Sequence, residues 1–590
     1  MRYFIAFIVF IAFISLISGQ TSLSGNVISR LGESRNGYYF NESLINTQIQ
    51  MGRFNNWLQF EFSDPPELGR KYNGLRKLRL EYLNGPLQIK LGDMYEIWGR
   101  GLILNSLDDQ SIDRDSGIRG LGILYETDVF NIHFITGNSD YSMSTIYSPG
   151  YDSRVPNYTT THNLYGVNTE WQLNKHIGGF TFLQSKEGHP VNTFPVDTLD
   201  LKNRLLGTHY IYNNSLLDFY VEYVKNWSTV LNEESSNYDN HLDGRGLYGN
   251  LNLYLPLFSI NIEYIHYRYG TLDPLNRWNN VDKYGMIQHY QNSPIAVVVG
   301  STTLMNRTSH QTDFNNEVGY KIEIMGTFKD YYEYFGFLSR SSRSNGWFIN
   351  EEFEWEKEGN SIFLPSSDPA ATPYNAFYGE LSGYFLDYSL HTKLGYSFTE
   401  DMIELTFYTK TDTSKSIFYT YQLAKTIPFH TSYTFSNGWS IDATFETQWL
   451  KKGFWRYEEI NGNIIADSLM SEFYSESGNP IDFQRNTFLS VSIGKSPNWT
   501  MSFTLDKIST SEPSFGLDEV NDSSNSLESI LGLDRKRNWA NIEFVYNVTS
   551  SLRVSLMYGS LKGGLLCANG VCRIIEPFDN GFKVGITAAF

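Results

Sequence analysis

The chain alternates apolar and polar residues. In residues 581–590 (GFKVGITAAF), Phe582, Val584, Ile586, Ala588 and Phe590 fall on one face of an extended strand. Lys583, Gly585, Thr587 and Ala589 fall on the other. Side chains of a strand alternate with period two, so one face is apolar and the other small or polar. Residues 55–63 (NNWLQFEFS) repeat the pattern with Leu58, Phe60 and Phe62. Residues 75–92 (LRKLRLEYLNGPLQIKLG) double it: Leu78, Leu80 and Tyr82 are expected to face Leu91, Ile89 and Leu87 across a turn containing Asn84-Gly85. Leu489, Val491 and Ile493 are likewise expected to face Leu505, Phe503 and Met501 across residues 495–498. Asn and Gly at such turns supply the positive φ that tight hairpins require.

Further tight turns are expected at 126–128, near Asn174, at Asn213-Asn214, around Pro256, at 399–402 and at Asn437-Gly438. Long polar connections lie between them, at 138–162, 187–202, 226–244, 270–292, 453–484 and 508–536. Transmembrane barrels alternate short periplasmic turns with long extracellular loops in this way. A soluble sandwich has no reason to, and a propeller would show a repeated motif, of which there is none. The pattern therefore reads as all-β: a large transmembrane antiparallel β-barrel of roughly 24 strands, within a range of about 22–26, bacterial barrels preferring even numbers. Residues 347–377 carry no clear strand pattern.

Arg2 followed by the apolar run 3–17 and then Ser18-Gly19-Gln20 reads as a cleavable secretory signal over residues 1–19. Residues 20–590 then form a single barrel domain in the bacterial outer membrane. Residues 22–30 read as its first strand, so the sequence suggests no N-terminal plug of the kind a gated receptor carries. No later apolar run approaches the ~18 residues of a helical span, so membrane insertion must be as β-structure.

Composition supports this. Aromatic residues make up 16%, with 41 Tyr, 40 Phe and 12 Trp, and Tyr and Trp suit membrane–water interfaces. The mean hydropathy of −0.34 excludes a helical membrane protein but not a barrel, whose strands are apolar on one side only. The net charge of −18 excludes a nucleic-acid partner held by phosphate contacts. Acidic loops bridged by divalent cations to lipopolysaccharide would accommodate it.

The two cysteines sit in Cys567-Ala-Asn-Gly-Val-Cys572. A two-residue turn at Asn569-Gly570 pairs Ala568 with Val571 and sets Cys567 opposite Cys572, within disulfide reach. An oxidising compartment favours the disulfide, and the CxxC spacing of a redox dithiol is absent. Continued strictly from this tip, the register would set Ile586 opposite Arg553 and put Arg553 on the lipid face, which is costly. One extra residue in the returning arm instead sets Leu556 opposite Val584, Val554 opposite Ile586 and Leu552 opposite Ala588. A β-bulge is therefore expected around residues 577–581, where Pro and Gly permit one. The strand carrying Phe582, Val584, Ile586 and Phe590 is expected to pair with residues 22–30 and act as the barrel-assembly signal.

Candidate chemistry concentrates in residues 92–125. With Leu87, Ile89 and Leu91 facing lipid, Lys90 points to the lumen, and Glu96, Trp98 and Arg100 are expected there too. Asp108, Asp109, Asp113, Arg114, Asp115 and Arg119 follow in a loop or strand mouth. These charges form either a constriction that selects solutes or a salt-bridged network holding an inward-folded loop. Asp113-x-Asp115-x-Gly117 matches part of a calcium loop but lacks the later acidic ligand. Arg70, Lys71, Arg76, Lys77 and Arg79 make a basic cluster, with Arg79 expected opposite Lys90. Neutralisation by Glu81, Glu96 and the Asp cluster, or a lumen anion site, would relieve it.

The segment Gly92, Asp93, Tyr95, Glu96, Gly99, Gly101, Leu102, followed by Asp115, Arg119 and Gly120, resembles a GDxYExxGxGL pattern with an acidic loop and an RG strand. That pattern is found in an outer-membrane β-barrel family of Bacteroidota-type bacteria to which no activity is assigned. Residues 563–573 (GGLLCANGVCR) and 304–320 are similar to the same family, and the chain departs from it at Ile118-Arg119. The resemblance implies a fold and a location, and no activity.

No HExxH, GxSxG or paired-carboxylate signature appears, and neighbours such as Ser309-His310 or His430-Thr431-Ser432 are no triad on spacing alone. The expected function is a channel or porin-like protein for small solutes, neither an enzyme nor a cofactor carrier. The alternatives are a scaffold barrel partnering a lipoprotein or secretion machinery and, after it, a barrel-embedded hydrolase. Its expected partners are outer-membrane lipids, lipopolysaccharide and the barrel-assembly machinery.

Overall fold

The computed structural model describes residues 21–35, 38–143, 154–191, 197–231, 241–269, 287–296, 302–329, 331–349, 355–358, 361–411, 414–460, 463–473, 480–509, 538–568, 571–575 and 577–590. At the outer ends of several strands and in the hairpin around the cysteines, the backbone alone is described. The signal segment 1–19 lies outside the described residues.

The strands follow one another around a ring. They are β1 (Thr21–Glu33), β2 (Tyr39–Met51), β3 (Phe54–Ser63), β4 (Tyr72–Asn84), β5 (Leu87–Met94), β6 (Ile118–Glu126), β7 (Phe130–Met143) and β8 (Tyr158–Leu173). Next come β9 (His176–Val191), β10 (Asp197–Asn213), β11 (Leu217–Val230), β12 (His241–Tyr254), β13 (Phe258–Arg268), β14 (Glu317–Phe328), β15 (Tyr332–Ser342) and β16 (Tyr374–Phe385). The last eight are β17 (Leu390–Thr411), β18 (Ser414–Thr434), β19 (Trp439–Ile460), β20 (Gln484–Lys495), β21 (Trp499–Ile508), β22 (Asn538–Thr549), β23 (Leu552–Leu561) and β24 (Phe578–Ala589). Each pairs antiparallel with the next, and β24 pairs with β1, so the sheet closes. The main sheet has 25 strands. One of them, Asn463–Ser471, only lines the outer half of β19, which leaves 24 in the ring.

Every second connection is two to four residues long, and both ends of the ring, at Thr21 and Ala589, lie on that tight-turn side. Outward-facing residues are large, apolar and exposed, among them Leu80, Leu91, Phe180, Leu338, Phe377, Leu394 and Leu556. Close to the tight turns outward aromatics pair edgewise or tilted: Phe54 with Tyr82 (5.2 Å), Phe130 with Trp171 (5.6 Å), Tyr331 with Tyr388 (5.3 Å) and Trp439 with Trp499 (5.4 Å). An apolar belt bounded by an aromatic girdle suits lipid, not water. A closed ring satisfies every strand's backbone there. The chain is a transmembrane β-barrel.

The returning arm behaves as its sequence requires. Leu552 pairs with Ala588, Val554 with Ile586 and Leu556 with Val584, whereas Leu561 pairs with Phe578. The extra residue falls at Asp579-Asn580, and Asn580 takes a φ of 41°. At the tip, Gly564–Ala568 pairs with Val571–Ile575, and Cys567 stands opposite Cys572. The cysteine side chains, and so the disulfide, lie outside what is described. At the seam, Phe590 and Gly25 exchange both backbone hydrogen bonds (3.0 Å each). The Phe590 ring lies where a Cβ on residue 25 would meet it at 2.6 Å, so only glycine fits.

Three expectations are corrected. Residues 399–402 are no turn: β17 runs through them, with a register shift between Met402 and Glu404. Strands β17, β18 and β19 are 22, 21 and 22 residues long, where crossing the bilayer needs only ~9–11. Above the membrane both faces of a strand can be wet, so polar residues do not end it. For the same reason residues 138–143, 158–162, 187–191 and 197–202 are strand rather than loop. Finally, the turn after β4 is Gly85-Pro86, so Leu80 faces Leu91 and Tyr82 faces Ile89. Glu81, not Arg79, then stands opposite Lys90, which removes the expected repulsion.

Deleting Phe590, or replacing Gly25 with Leu, is expected to reduce the folded, heat-modifiable band on gels several-fold. Normal yield of folded barrel in both variants would overturn this account of the seam.

Candidate functional site

The connection between β5 and β6 folds into the barrel as two small hairpins. Ile97–Trp98 pairs with Leu104–Asn105, and Asp108–Asp109 with Arg114–Asp115. Its apolar tip, Trp98, Leu102, Ile103 and Leu104, is fully buried. The tip packs against inward-facing Ile135, Leu164, Leu183, Leu205, Tyr220, Val224, Tyr248 and Ile265 of the wall. Burying each such side chain contributes roughly 1.5–3 kcal/mol. Gly99 and Gly101 have φ of 58° and 91°. A Cβ on residue 99 would lie 2.8 Å from the Glu222 carboxylate, and one on residue 101 would lie 2.8 Å from the Asn292 carbonyl. Both glycines are therefore needed for conformation and for room.

A second inward segment, residues 287–296, seals the tip from the loop side. Asn105 Nδ2 donates to the Asn292 carbonyl (2.9 Å), and Tyr269 Oη donates to the Leu102 carbonyl (3.3 Å). Arg114 Nη2 donates to the carbonyls of His289 (3.1 Å) and Gln291 (3.4 Å). Burial pushes His289 well below the ordinary histidine range, so this imidazole is neutral where it packs on His162 and Tyr141.

The charged residues tie the loop to the wall. Lys77 Nζ lies 2.6 Å from Asp108 and 2.8 Å from Asp115. Arg76 pairs with Glu61 and lies 3.8 Å from Asp115. Consecutive residues of a strand point to opposite faces, yet Arg76 and Lys77 both reach inward. Gln59 pairs with Lys77 and Phe60 with Leu75, so Arg76 is a bulge residue. Burial raises Asp115, but Lys77 and Arg76 outweigh it and hold the carboxyl below its ordinary range. Asp108 is raised, burial outweighing Lys77. Tyr95 donates its hydroxyl to Asp115 (2.9 Å). Lys90 pairs with Glu96 (2.6 Å), whose N–H donates to Ser106 Oγ (2.7 Å). The Arg100 guanidinium stacks on Tyr220 (5.1 Å) while the backbone N–H of Arg100 donates to Glu222 (2.8 Å). Asp109 accepts from Ser111 (2.6 Å). Asp113 takes a φ of 48° in the turn between the second pair of strands. Arg79 lies over the Trp57 ring.

Arg119 is the exception. In β6, Ile118 faces inward, so Arg119 faces outward with Leu121 and Ile123 and is 67% exposed. It pairs with Asp93 (2.9 Å) on the outside of the wall and is no part of the lumen. The inner-wall residues Ile135, Leu183 and Leu205 lacked an assignment from sequence. Their signal was a break in alternation: Phe134-Ile135, Phe182-Leu183 and Leu205-Leu206 are consecutive apolar pairs, one facing lipid and one facing the loop.

A third inward segment, residues 302–316, covers the inside of β14–β21. Glu446 accepts from the N–H groups of Thr303 (3.1 Å) and Leu304 (2.8 Å) at a single helical turn, and Arg307 pairs with Asp506. His310 stacks on Tyr374 and has a carboxylate on each ring nitrogen, Asp401 at 2.9 Å and Glu317 at 3.3 Å. Burial alone would lower its pKa, but Asp401 and Glu317 outweigh it and lift it to about 9. Ser341 Oγ lies 3.4 Å from Nε2, a nucleophile–base–acid arrangement in outline. An imidazolium has no lone pair to accept the hydroxyl proton, so His310 is a clamp and not a base.

The family described as a family of unknown function (DUF6029) matches residues 3–590. No curated protein matches the sequence. Among solved structures, the chain is similar to the siderophore receptor PirA from Pseudomonas aeruginosa at 8% identity and a TM-score of 0.44, covering 96% of this chain and 80% of that one. It is similar to the copper transporter OprC at 9% and 0.43, covering 97% and 81%. It is also similar to the FrpB iron transporter from Neisseria meningitidis at 9% and 0.42, covering 96% and 82%. The barrel itself is established by its own strand pairing.

Replacing Lys77 with Met leaves Asp108 and Asp115 without their shared cation, a loss of about 3–5 kcal/mol for a broken buried pair. Protease cleavage within residues 106–117 of the folded barrel should then accelerate, and an unchanged rate would count against the anchor. His310 is raised in the folded state, so its contribution is fully present below its unfolded pKa of ~6.5 and is lost as pH rises through about 9. Hydrogen-exchange protection of residues 302–316 should fall above pH 9, and His310→Gln should remove that pH dependence.

Proposed function

We propose that this chain, which belongs to the family of unknown function DUF6029, is a transport barrel of the bacterial outer membrane whose lumen is occluded by its own loops. One observation carries the reading. Residues 97–115 are wedged inside the ring by a buried apolar tip and by ion pairs to the wall. A ring of 24 strands encloses far more space than its own side chains fill. Apolar packing alone would fill that space in a purely structural barrel, and the charged, glycine-hinged base of the insert is what favours a path for solute. The charges Lys90, Glu96, Arg100, Asp108, Arg114 and Asp115 then line or brace the path of a small solute, and displacement of the loop opens it. Placement in the outer membrane rests on the closed ring, the apolar belt and the alternation of tight turns with long connections. The porin-like expectation is narrowed accordingly to a barrel whose path its own loops occlude.

A second reading has its own observation. Strands β17–β19 stand far above the bilayer, and the extra strand Asn463–Ser471 widens that wall. A tall sheet of this kind is what a scaffold for a lipoprotein or secretion component would present.

Planar-bilayer recording separates the two. The native protein is expected to conduct weakly, and Gly99→Val/Gly101→Val, which displaces the loop, should raise single-channel conductance several-fold. If both proteins are silent while folded, the transport reading fails and the scaffold reading takes its place.

A further inference from the structure

The outer surface of the wall, at the long-connection end of β9–β13, carries basic residues. The inward positions of these strands are fixed by Ser185, Asn203, Val224, Tyr248 and Ile265, all buried. Parity then turns Lys186, Lys202, Arg204, Lys225, Arg245 and Arg268 outward. Their register brings them together. Lys186 stands opposite Lys202, Lys225 opposite Arg245 and Arg245 opposite Arg268. Three successive strands thus place Lys225, Arg245 and Arg268 side by side, a row spanning about 10 Å at ~4.8 Å per strand.

Like charges directly opposite each other repel. Lys225 is relieved by Asp243 at 3.0 Å. Among the described residues no carboxylate is paired with Arg245 or Arg268. Towards the tight turns the same faces carry Tyr223, Leu247 and Tyr264, so the row stands where the apolar belt ends. In a chain of net charge −18, two adjacent arginines that no described carboxylate pairs with mark a place for an external anion.

A second observation lies beside it. The connection between β15 and β16 passes down the outside of β13. Tyr264 Oη donates to the Phe363 carbonyl (2.8 Å), Ser361 Oγ lies 3.1 Å from His266 Nε2, and the Phe363 and His266 rings are 5.4 Å apart. The Ile362 N–H donates to the Ser344 carbonyl (2.8 Å). His266 and Tyr264 lie two and four residues below Arg268, so residues 361–363 run from just below the basic row into the apolar belt. There Phe363 is 66% and Leu364 69% exposed. Exposed apolar side chains beside an apolar belt suit acyl chains rather than water.

We propose that this wall is a binding site for a phosphorylated lipid of the outer leaflet. Its phosphate is held by Arg245 and Arg268, and its acyl chains lie against Phe363 and Leu364. Guanidinium groups bind phosphate through paired, charge-assisted hydrogen bonds. A direct cationic site of this kind needs no divalent bridge to acidic loops. The inference rests on the outer-membrane placement proposed above and is independent of transport, which conductance reads separately.

The test is native mass spectrometry of the full-length folded protein in non-ionic detergent with diphosphorylated lipid A. The native protein is expected to retain one lipid. Arg245→Ala/Arg268→Ala should weaken retention by about tenfold or more, and Phe363→Ser/Leu364→Ser should weaken it several-fold. Heat-modifiable migration confirms that each variant is folded. Dephosphorylated lipid should bind poorly, and millimolar inorganic phosphate should not displace the phosphorylated form. Equal retention by the arginine variant, or equal binding of dephosphorylated lipid, would overturn the site. Displacement by inorganic phosphate would overturn the lipid assignment in favour of a free-anion site.

Discussion

A strand crossing lipid must give every N–H and C=O a partner, and water is not there to supply one. This constraint governs the whole chain. It forces β24 back onto β1, where Phe590 and Gly25 exchange backbone hydrogen bonds. It also explains why the returning arm needs the extra residue at Asp579-Asn580. Without it Ile586 would stand opposite Arg553, and Arg553 would turn into lipid beside the apolar face of residues 582–590.

Closing so many strands creates a second problem, a lumen too wide for wall side chains to fill. The chain answers with its own long connections, and it uses two kinds of force. The tip of residues 97–105 is held by apolar packing against wall positions such as Leu183, Leu205 and Val224. The base of the same loop, and the segment 302–316, are held by charge: Lys77 between two aspartates, His310 between Asp401 and Glu317. Apolar contacts give the tip its depth. The ion pairs are directional, and they fix where the loop meets the wall.

Of the candidate charges found in sequence, Glu96, Arg100, Asp108 and Asp115 meet a partner on the wall inside the barrel, and the bulge at Arg76 doubles the cations available at one place. Arg119 shows the limit of counting residues through a loop. Its parity follows from Ile118, which faces Met94 inside the barrel, and a loop with two small hairpins separates it from the alternation that could be counted from Leu91. Arg79 was misplaced by a turn that is Gly85-Pro86 rather than one containing Asn84. A two-residue difference in a turn moves every cross-strand pair along by one same-face position, which exchanges the partner of Lys90 without changing which face is wet.

Sequence by itself determined the class of fold, the closing strand, its bulge, the opposition of Cys567 and Cys572, and most tight turns, because each is encoded within about ten residues by period two and by turn chemistry. It also bounded the strand number, since each crossing must spend a minimum of apolar alternation. Only the tertiary structure decided what fills the lumen, which side Arg119 takes, and that polar stretches such as 187–191 and 197–202 continue as strand. Asn105 meets Asn292 across 187 residues of chain, and the row of Lys225, Arg245 and Arg268 arises from the register of three strands. Contacts of that range leave no periodic trace: a residue's neighbours in space are set by the closing of the ring, which no local window contains.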